Sequence, residues 1–346
     1  MGGNLPRLLA PDNPPAVSVV LPVRNGAAFL PATLGSLRHV VRPALEVVVV
    51  DDGSDDGTPD LLQAAQRRDP RLRLLRGPSL GLVAALNRGL AHARAPWVAR
   101  LDADDVLHPD RIARQLALAE AQGLGVVGSG IRCFPTQAIA GGLRRYEAWH
   151  NGLVEHDAMA RARFVESPLV HPSVLFDRAV VLEQGGYRDC GWPEDYDLWL
   201  RLFAAGVRIG KVPELLTFWR DHPTRLTRTA AHCRAEALRA CKVHHLLAGP
   251  LARATGVWIA GTGLEGKRMA RALVQAGLPL RGWLDVHPPR IGQRLLGAAV
   301  HHPEAIELGS GEVVLAAVGG AGRREAVQAL LARLGWHEGE RAWCVA

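Results

Sequence analysis

Two unbroken apolar runs constrain this chain most: VSVVLPV at residues 17–23 and LEVVVV, leading into Asp51 and Asp52, at residues 45–52. β-branched side chains crowd the preceding turn of a helix but pack well on a pleated surface. A strand with one wet face alternates apolar and polar residues. These runs do not alternate, so both of their faces need cover. Helical stretches separate them. Residues 31–39 fit a helix, LRLLRG near residue 72 a third strand, 80–93 a helix and 97–101 another strand. That order predicts an α/β fold with a mostly parallel sheet and helices on both faces. Thr58-Pro59-Asp60 reads as a helix start, with the Thr58 hydroxyl as its cap.

In such sheets, ligands sit beyond the carboxyl ends of the strands. Those ends here read Arg24-Asn25, Asp51-Asp52 and Asp102-Ala103-Asp104-Asp105. Three carboxylates within four residues repel one another, so the last cluster predicts a cation. A hard divalent ion, Mg²⁺ or Mn²⁺, takes one or two carboxylates together with substrate phosphates. The bland alternative is a solvated acidic turn capping a helix from Asp110. Asp51 and Asp52 suit the N3–H of a uracil or the hydroxyls of a ribose; their alternative is an Asp-Gly turn. Glu194 and Asp195 open a helix in GWPEDYDLWLRLFAAG. A helix N-terminus favours a carboxylate, and a base facing an acceptor hydroxyl would act there.

A connecting helix is expected over 229–248, broken by Gly249-Pro250. A second strand–turn–helix series follows, with VWIAGTGLEGKRMARALVQAG first. We therefore expect a first domain over 1–250 and a small Rossmann-like α/β domain over 251–346. Gly261, Gly263 and Gly266 follow a strand and open a helix, and Asp285 ends the next strand. That arrangement places a phosphate at the helix N-terminus and a ribose on the acid. Its alternative is an assembly domain that keeps the glycine turn for packing.

The 346 residues are 48% apolar and 22% charged, a soluble composition, and no apolar run approaches a membrane span. The start, MGGNLPRLLAPDNPP, carries no sustained apolar segment, so a cytoplasmic protein is expected. Five scattered cysteines without a CxxC pair read as reduced thiols. The net charge of +7 suits an anionic ligand and permits peripheral docking at an anionic membrane face. No basic block is interleaved with aromatics, so no nucleic acid is expected as a partner.

Six stretches together resemble family 2 glycosyltransferases with the GT-A fold. They are VSVVLPVRNGAAFLPATLGSL, EVVVVDDGSDDGT, GLVAALNRGL, VARLDADDVLHPDRIARQL, HPSVLFDRAVVLEQGGYRD and WPEDYDLWLRL, and they cover most of the first 230 residues. The resemblance implies a GT-A-type sheet and an inverting transfer of a sugar from a nucleotide-diphosphate donor, UDP- or dTDP-linked. The acceptor would be a hydroxyl of a saccharide or lipid-linked molecule in cell-envelope polysaccharide or glycolipid synthesis, made at the inner face of the cytoplasmic membrane. Pro22, Arg24, Asn25, Asp51, Asp52 and Asn87 would bind the nucleotide sugar. Asp102 and Asp104 occupy the D-x-D positions, with Asp104 the main metal ligand and Asp102 nearer the ribose or the metal. Asp195 matches the catalytic base, with Glu194 beside it. FWRDHPTRLT, with Arg220, His222 and Arg225, resembles the loop that closes over the diphosphate, and His222 would reach metal or phosphate. Two other readings stand beside this one: an NAD(P)-dependent oxidoreductase acting through the second domain, and a non-catalytic nucleotide-sugar-binding protein. A homo-oligomer is compatible with all three.

Overall fold

A computed structural model describes residues 14–320 and 322–346. Most of the N-terminal stretch read above for a leader lies outside the described residues. The chain divides into two compact units. One takes the residues up to Met159, Leu169–Cys190 and Asp197–Arg225; the other takes Ala160–Pro168, Gly191–Tyr196 and Leu226–Ala346. The expected connecting helix spans Ala235–Ala248 and lies within the second unit.

The first unit carries β1 (Val17–Val23), β2 (Leu45–Asp52), β3 (Leu72–Gly77), β4 (Trp97–Arg100), β5 (Val106–Leu107), β6 (Val126–Phe134), β7 (Leu175–Asp177) and β8 (Ile209–Arg220). They form one sheet in the order β3-β2-β1-β4-β7-β6-β8-β5. Only β5 and β7 run against the rest, so the sheet is mostly parallel. The unbroken apolar runs have the predicted cause. Val17, Val19, Leu21 and Val23 of β1 pack with Leu30 and Leu37 of helix Leu30–Arg38, Leu62 of Thr58–Arg68 and Ile112 of Arg111–Gln122. On the opposite face Val20 and Val98 pack with Leu86 and Leu90 of helix Leu82–His92. Each such Val or Leu is fully buried, which stabilises by roughly 1.5–3 kcal/mol per side chain.

The helix cap expected of Thr58 is not made, and neither is the one that the alternative reading of the acidic turn placed near Asp110. Helix Thr58–Arg68 starts behind Gly57 with no side-chain cap. The Thr58 hydroxyl instead accepts the Gly26 N–H at 2.9 Å, while Asp56 accepts the Thr58 N–H at 2.9 Å. Asp110 stands at the cap position of Arg111–Gln122 without a capping bond from its side chain.

The second unit carries β9 (Gly256–Ala260), β10 (Leu280–Leu284), β11 (Arg294–Leu295), β12 (Ala298–His301), β13 (Glu312–Ala316) and β14 (Ala342–Cys344), ordered β11-β12-β10-β9-β13-β14. All pairings are parallel except β11 with β12. Helix Leu264–Gln275 follows β9 and Arg323–Arg333 follows β13. Among the described residues, no helix is long and apolar enough to cross a membrane.

Candidate functional site

Strand register gathers the acids of the first unit. Val23 pairs with Asp51 across β1 and β2, and Val20 pairs with Arg100 across β1 and β4. Asp51-Asp52 and Asp102-Asp105 therefore leave the sheet at one edge, on either side of the end of β1. Two strand spacings separate β2 from β4, about 10 Å.

The loop after β1 is tied to the loop after β2. Asn25 takes a left-handed φ of 52°. Its Nδ2 donates to Asp55 at 2.7 Å, its Oδ1 accepts the Asp55 N–H at 3.0 Å, and its own N–H reaches the Ser54 hydroxyl at 2.9 Å. Asn positions tolerate this backbone because the short side chain bonds locally. Asp51 accepts the Ser54 N–H at 3.1 Å. Asp52 accepts the N–H groups of Leu80 and Gly81, each at 2.8 Å, and so anchors the entry to helix Leu82–His92. Gly53, with φ +73°, lets this loop close: a Cβ there would lie 2.8 Å from the Ser79 nitrogen. Pro22 is buried within β1 and Arg24 is exposed just past it. Asn87 holds a turn rather than open space, since its amide donates to the Tyr187 carbonyl at 2.9 Å and accepts the Tyr187 N–H at 3.0 Å.

Carboxylate oxygens of Asp102, Asp104 and Asp105 lie within 4.8 Å of one another. Asp102 pairs with the buried Arg100. Asp104 Oδ2 is 2.8 Å from Nε2 of His222. Asp105 is 1% exposed; one oxygen accepts the Arg220 N–H at 2.7 Å and the other, Oδ2, has no hydrogen-bond partner. Burial first, then the charges of Asp102 and Asp104, hold the Asp105 carboxyl well above the usual carboxylate range. Arg111 is fully buried, donating to the carbonyls of Arg100 at 2.7 Å and Pro172 at 2.6 Å. Burial lowers its pKa to about 9, opposed by the charge of Asp105. An orphaned carboxylate oxygen within a cluster of hard oxygen donors is what Mg²⁺ or Mn²⁺ would satisfy, so these residues fit the expected ion.

Cations flank the acids. Arg220 ends β8; its Nε donates to the Asp104 carbonyl at 2.7 Å, and its guanidinium lies 4.4 Å from the Phe134 ring and 5.0 Å from Phe29. Phe29 also packs on His222, ring centroids 4.6 Å apart. Arg225 stacks on Trp219 at 3.6 Å. Stacking on aromatic faces orients a guanidinium without consuming its donors. Arg100 and Arg111 went unnoticed in the sequence. Their signal was an arginine closing an apolar strand and another opening the helix in HPDRIARQL.

Glu194 and Asp195 open helix Glu194–Ala204 and belong to the second unit. Glu194 is buried and Asp195 half-buried; Asp195 accepts the Tyr196 N–H at 2.7 Å. Gly261, Gly263, Gly266 and Asp285 gather at the carboxyl edge of β9 and β10 in that unit.

Residues 18–182 match the family model described as Glycosyl transferase family 2. An uncharacterized glycosyltransferase of Haemophilus influenzae is 31% identical over 210 residues, covering 59% of this chain and 75% of that protein. The O-antigen biosynthesis glycosyltransferase WbnJ of Escherichia coli is 26% identical over 231 residues, covering 64% and 87% respectively. Among solved structures, S. aureus TarS 1-349 in complex with UDP-GlcNAc gives a TM-score of 0.55 at 16% identity, over 75% of this chain and 70% of that one. That likeness is one of fold.

Proposed function

The chain belongs to glycosyl transferase family 2 and is a glycosyltransferase; on that premise we propose that it moves a sugar from a UDP- or dTDP-linked donor to a hydroxyl of a saccharide or lipid-linked acceptor. The observation that carries this reading is the meeting of Asp102, Asp104 and Asp105 within 4.8 Å, with one buried oxygen unpartnered and Arg220, His222 and Arg225 alongside. Carboxylates bind a metal and arginines bind a diphosphate; their company suits a metal-bridged leaving group. The similarity to an O-antigen biosynthesis enzyme supports a place in cell-envelope polysaccharide or glycolipid synthesis. The net charge of +7 suits work against the anionic inner face of the membrane.

Asp104, with Asp102, is the ligand set for Mg²⁺ or Mn²⁺, which when bound offsets charge on the diphosphate. Asp52 and Asp51 face the base and ribose, with Pro22, Arg24 and Asn25 lining the same edge. Arg220, His222 and Arg225 stabilise the negative charge that grows on the departing diphosphate. Asp195 is assigned as general base on its match within WPEDYDLWLRL, with Glu194 beside it. It takes the acceptor proton as the acceptor oxygen bonds to the anomeric carbon and the bond to the diphosphate breaks on the opposite face. Configuration inverts.

Asp195→Asn tests the assignment. Transfer should fall by roughly 10²–10⁴-fold, the usual contribution of a general base, while donor binding measured by calorimetry stays within a factor of a few. A variant that turns over normally removes Asp195 from the role. A product of retained configuration by NMR overturns direct displacement.

A further inference from the structure

We propose that the second unit holds a nucleotide of its own, a ribose-bearing nucleoside diphosphate carried by a sugar nucleotide or a dinucleotide. It would occupy a 430 Å³ cavity at the carboxyl edge of β9, β10 and β13. That volume falls in the range of small-molecule sites. The ends of these three strands, residues 260–263, 284–286 and 317–319, form the walls, with Pro303, Val327 and Leu330 adding an apolar side. Ligands of open parallel sheets bind at this edge, outside the strand ends.

The polar groups on the wall match the parts of such a ligand. Asp285 is the ribose partner. Its Oδ2 accepts the Thr262 hydroxyl at 2.5 Å and Arg290 Nη1 at 2.9 Å, and its Oδ1 accepts the His287 N–H at 3.0 Å. These bonds fix the carboxylate in place, and Oδ1, with a single bond, retains capacity for a ribose hydroxyl. Half-exposed Arg290, held here on Asp285 and on the Thr262 hydroxyl at 2.7 Å, is the cation a phosphate in this cavity would meet. A carboxylate at the ribose selects a free 2′-hydroxyl against a 2′-phosphate.

Three glycines mark the turn, and the fold itself explains two of them. Gly261 has φ +108°, and a Cβ there would lie 2.6 Å from Val318. A Cβ on Gly266 would lie 2.1 Å from the Gly261 carbonyl, so glycine lets the helix approach the strand. Gly263 differs. Its φ of −70° suits any residue, and a Cβ there meets nothing within 4 Å. It stands at the N-cap of helix Leu264–Gln275 and lines the cavity. A bare backbone at that point lets the first N–H groups of the helix approach a diphosphate. Glu265, in the first turn, is paired with Arg268 at 2.6 Å and Arg239 at 3.3 Å, which offsets its repulsion of an anion.

The site lies in a different unit from Asp102, Asp104 and Asp105 and shares no residue with the sugar-transfer reading, Asp195 and Glu194 included, so the two stand or fall apart. Isothermal titration of the full chain with UDP, UDP-N-acetylglucosamine, NAD⁺ and NADP⁺, on wild type, Gly263→Val and Asp104→Ala, tests the inference. The expected result is one binding event that Gly263→Val weakens at least tenfold and Asp104→Ala leaves intact, with the thermal melt of Gly263→Val unchanged. A second equivalent of UDP or UDP-N-acetylglucosamine identifies a sugar nucleotide; NAD⁺ preferred over NADP⁺ identifies a dinucleotide. Asp285→Asn, nearly isosteric, is the second variant and should weaken the same event. Binding unchanged in both variants overturns the inference, as does the absence of any event that survives Asp104→Ala.

Discussion

Replacing Lys211 with Met should stabilise the protein, by an amount that depends on pH in a calculable way. Lys211 lies on β8, is 1% exposed, and donates to the His150 carbonyl at 2.5 Å. Burial lowers its pKa from the ordinary 10.5 to about 7. For a base whose folded pKa is depressed, the unfolded chain binds more protons between those two values. Stability therefore rises with pH from about 7 toward 10.5, and the full penalty is present below about 7. A fall of about 3.5 pH units corresponds to about 5 kcal/mol at 1.36 kcal/mol per unit. Losing this donor to the buried His150 carbonyl returns about 1–3 kcal/mol of that. Lys211→Met should thus gain up to about 4 kcal/mol at pH 7, in line with the 1–4 kcal/mol found when buried ions give way to apolar residues of similar volume.

Between pH 7 and pH 9 the gain should shrink by up to about 2.7 kcal/mol, two units at 1.36. Burial pushes the Cys133 and Cys344 thiols up, so above about pH 9 stability falls in both proteins as the unfolded chain ionises first. These contributions, and that of Lys242, whose pKa burial also lowers, are common to both proteins, so the difference between their urea unfolding at pH 7, 8 and 9 reads Lys211. Arg220 lies further along β8, and the two residues pair with Gly128 and Phe134 of β6, six residues or about 20 Å apart at 3.3 Å per residue. That is more than two Debye lengths at physiological salt, so sugar transfer should be unchanged. A variant less stable than wild type at pH 7, or a gain that is constant from pH 7 to 9, refutes the reasoning.

Asp104→Ala should abolish the Mn²⁺-dependent part of donor binding, exceeding the roughly 10–100-fold that loss of an outer partner of a metal costs. Titration of UDP with and without Mn²⁺, repeated after EDTA, checks it, and an unaltered Mn²⁺ dependence removes Asp104 from the ligand set. Gly53→Ala should destabilise by roughly 1–3 kcal/mol, because φ +73° and the approach to Ser79 both disfavour a side chain. Thermal melting reads this as a lowered Tm, and a variant with an unchanged melt disproves the steric argument.

The parallel half of the first sheet was legible because its cause is local. Burial on both faces leaves no polar alternation, and VSVVLPV and LEVVVV carry that signature in the letters themselves. The β6, β7 and β8 half was not. β7 is only three residues long, Leu175–Asp177, and β8 pairs with β6 through register shifts at Ser129 to Ile131. No periodicity survives such short or bulged pairing. Thr58 misled for a related reason. A hydroxyl before a helix reads as a cap, yet here a partner 32 residues away, the Gly26 N–H, claims it. Sequence spacing cannot announce a bond made across two strands.

The crowding of Asp102, Asp104 and Asp105 shows where the site was legible and where it was not. Like charges within four residues point toward a cation, and the structure does bring their carboxylates within 4.8 Å of one another. The groups that make the crowding tolerable before any ion arrives were hidden. Arg100 pairs with Asp102 from the residue two before it, Arg111 is buried whole with its donors on two carbonyls, and His222 reaches Asp104 from 118 residues away. Even so, that support is incomplete. Asp105 keeps one buried oxygen unpartnered and its carboxyl is held well above the usual range. A site fully neutralised by its own arginines would have no reason to hold a divalent ion. On the proposed metal reading, the unpartnered oxygen at Asp105 is the deficit an ion would meet, and the neighbouring arginines reduce the repulsion far enough for the chain to fold without it.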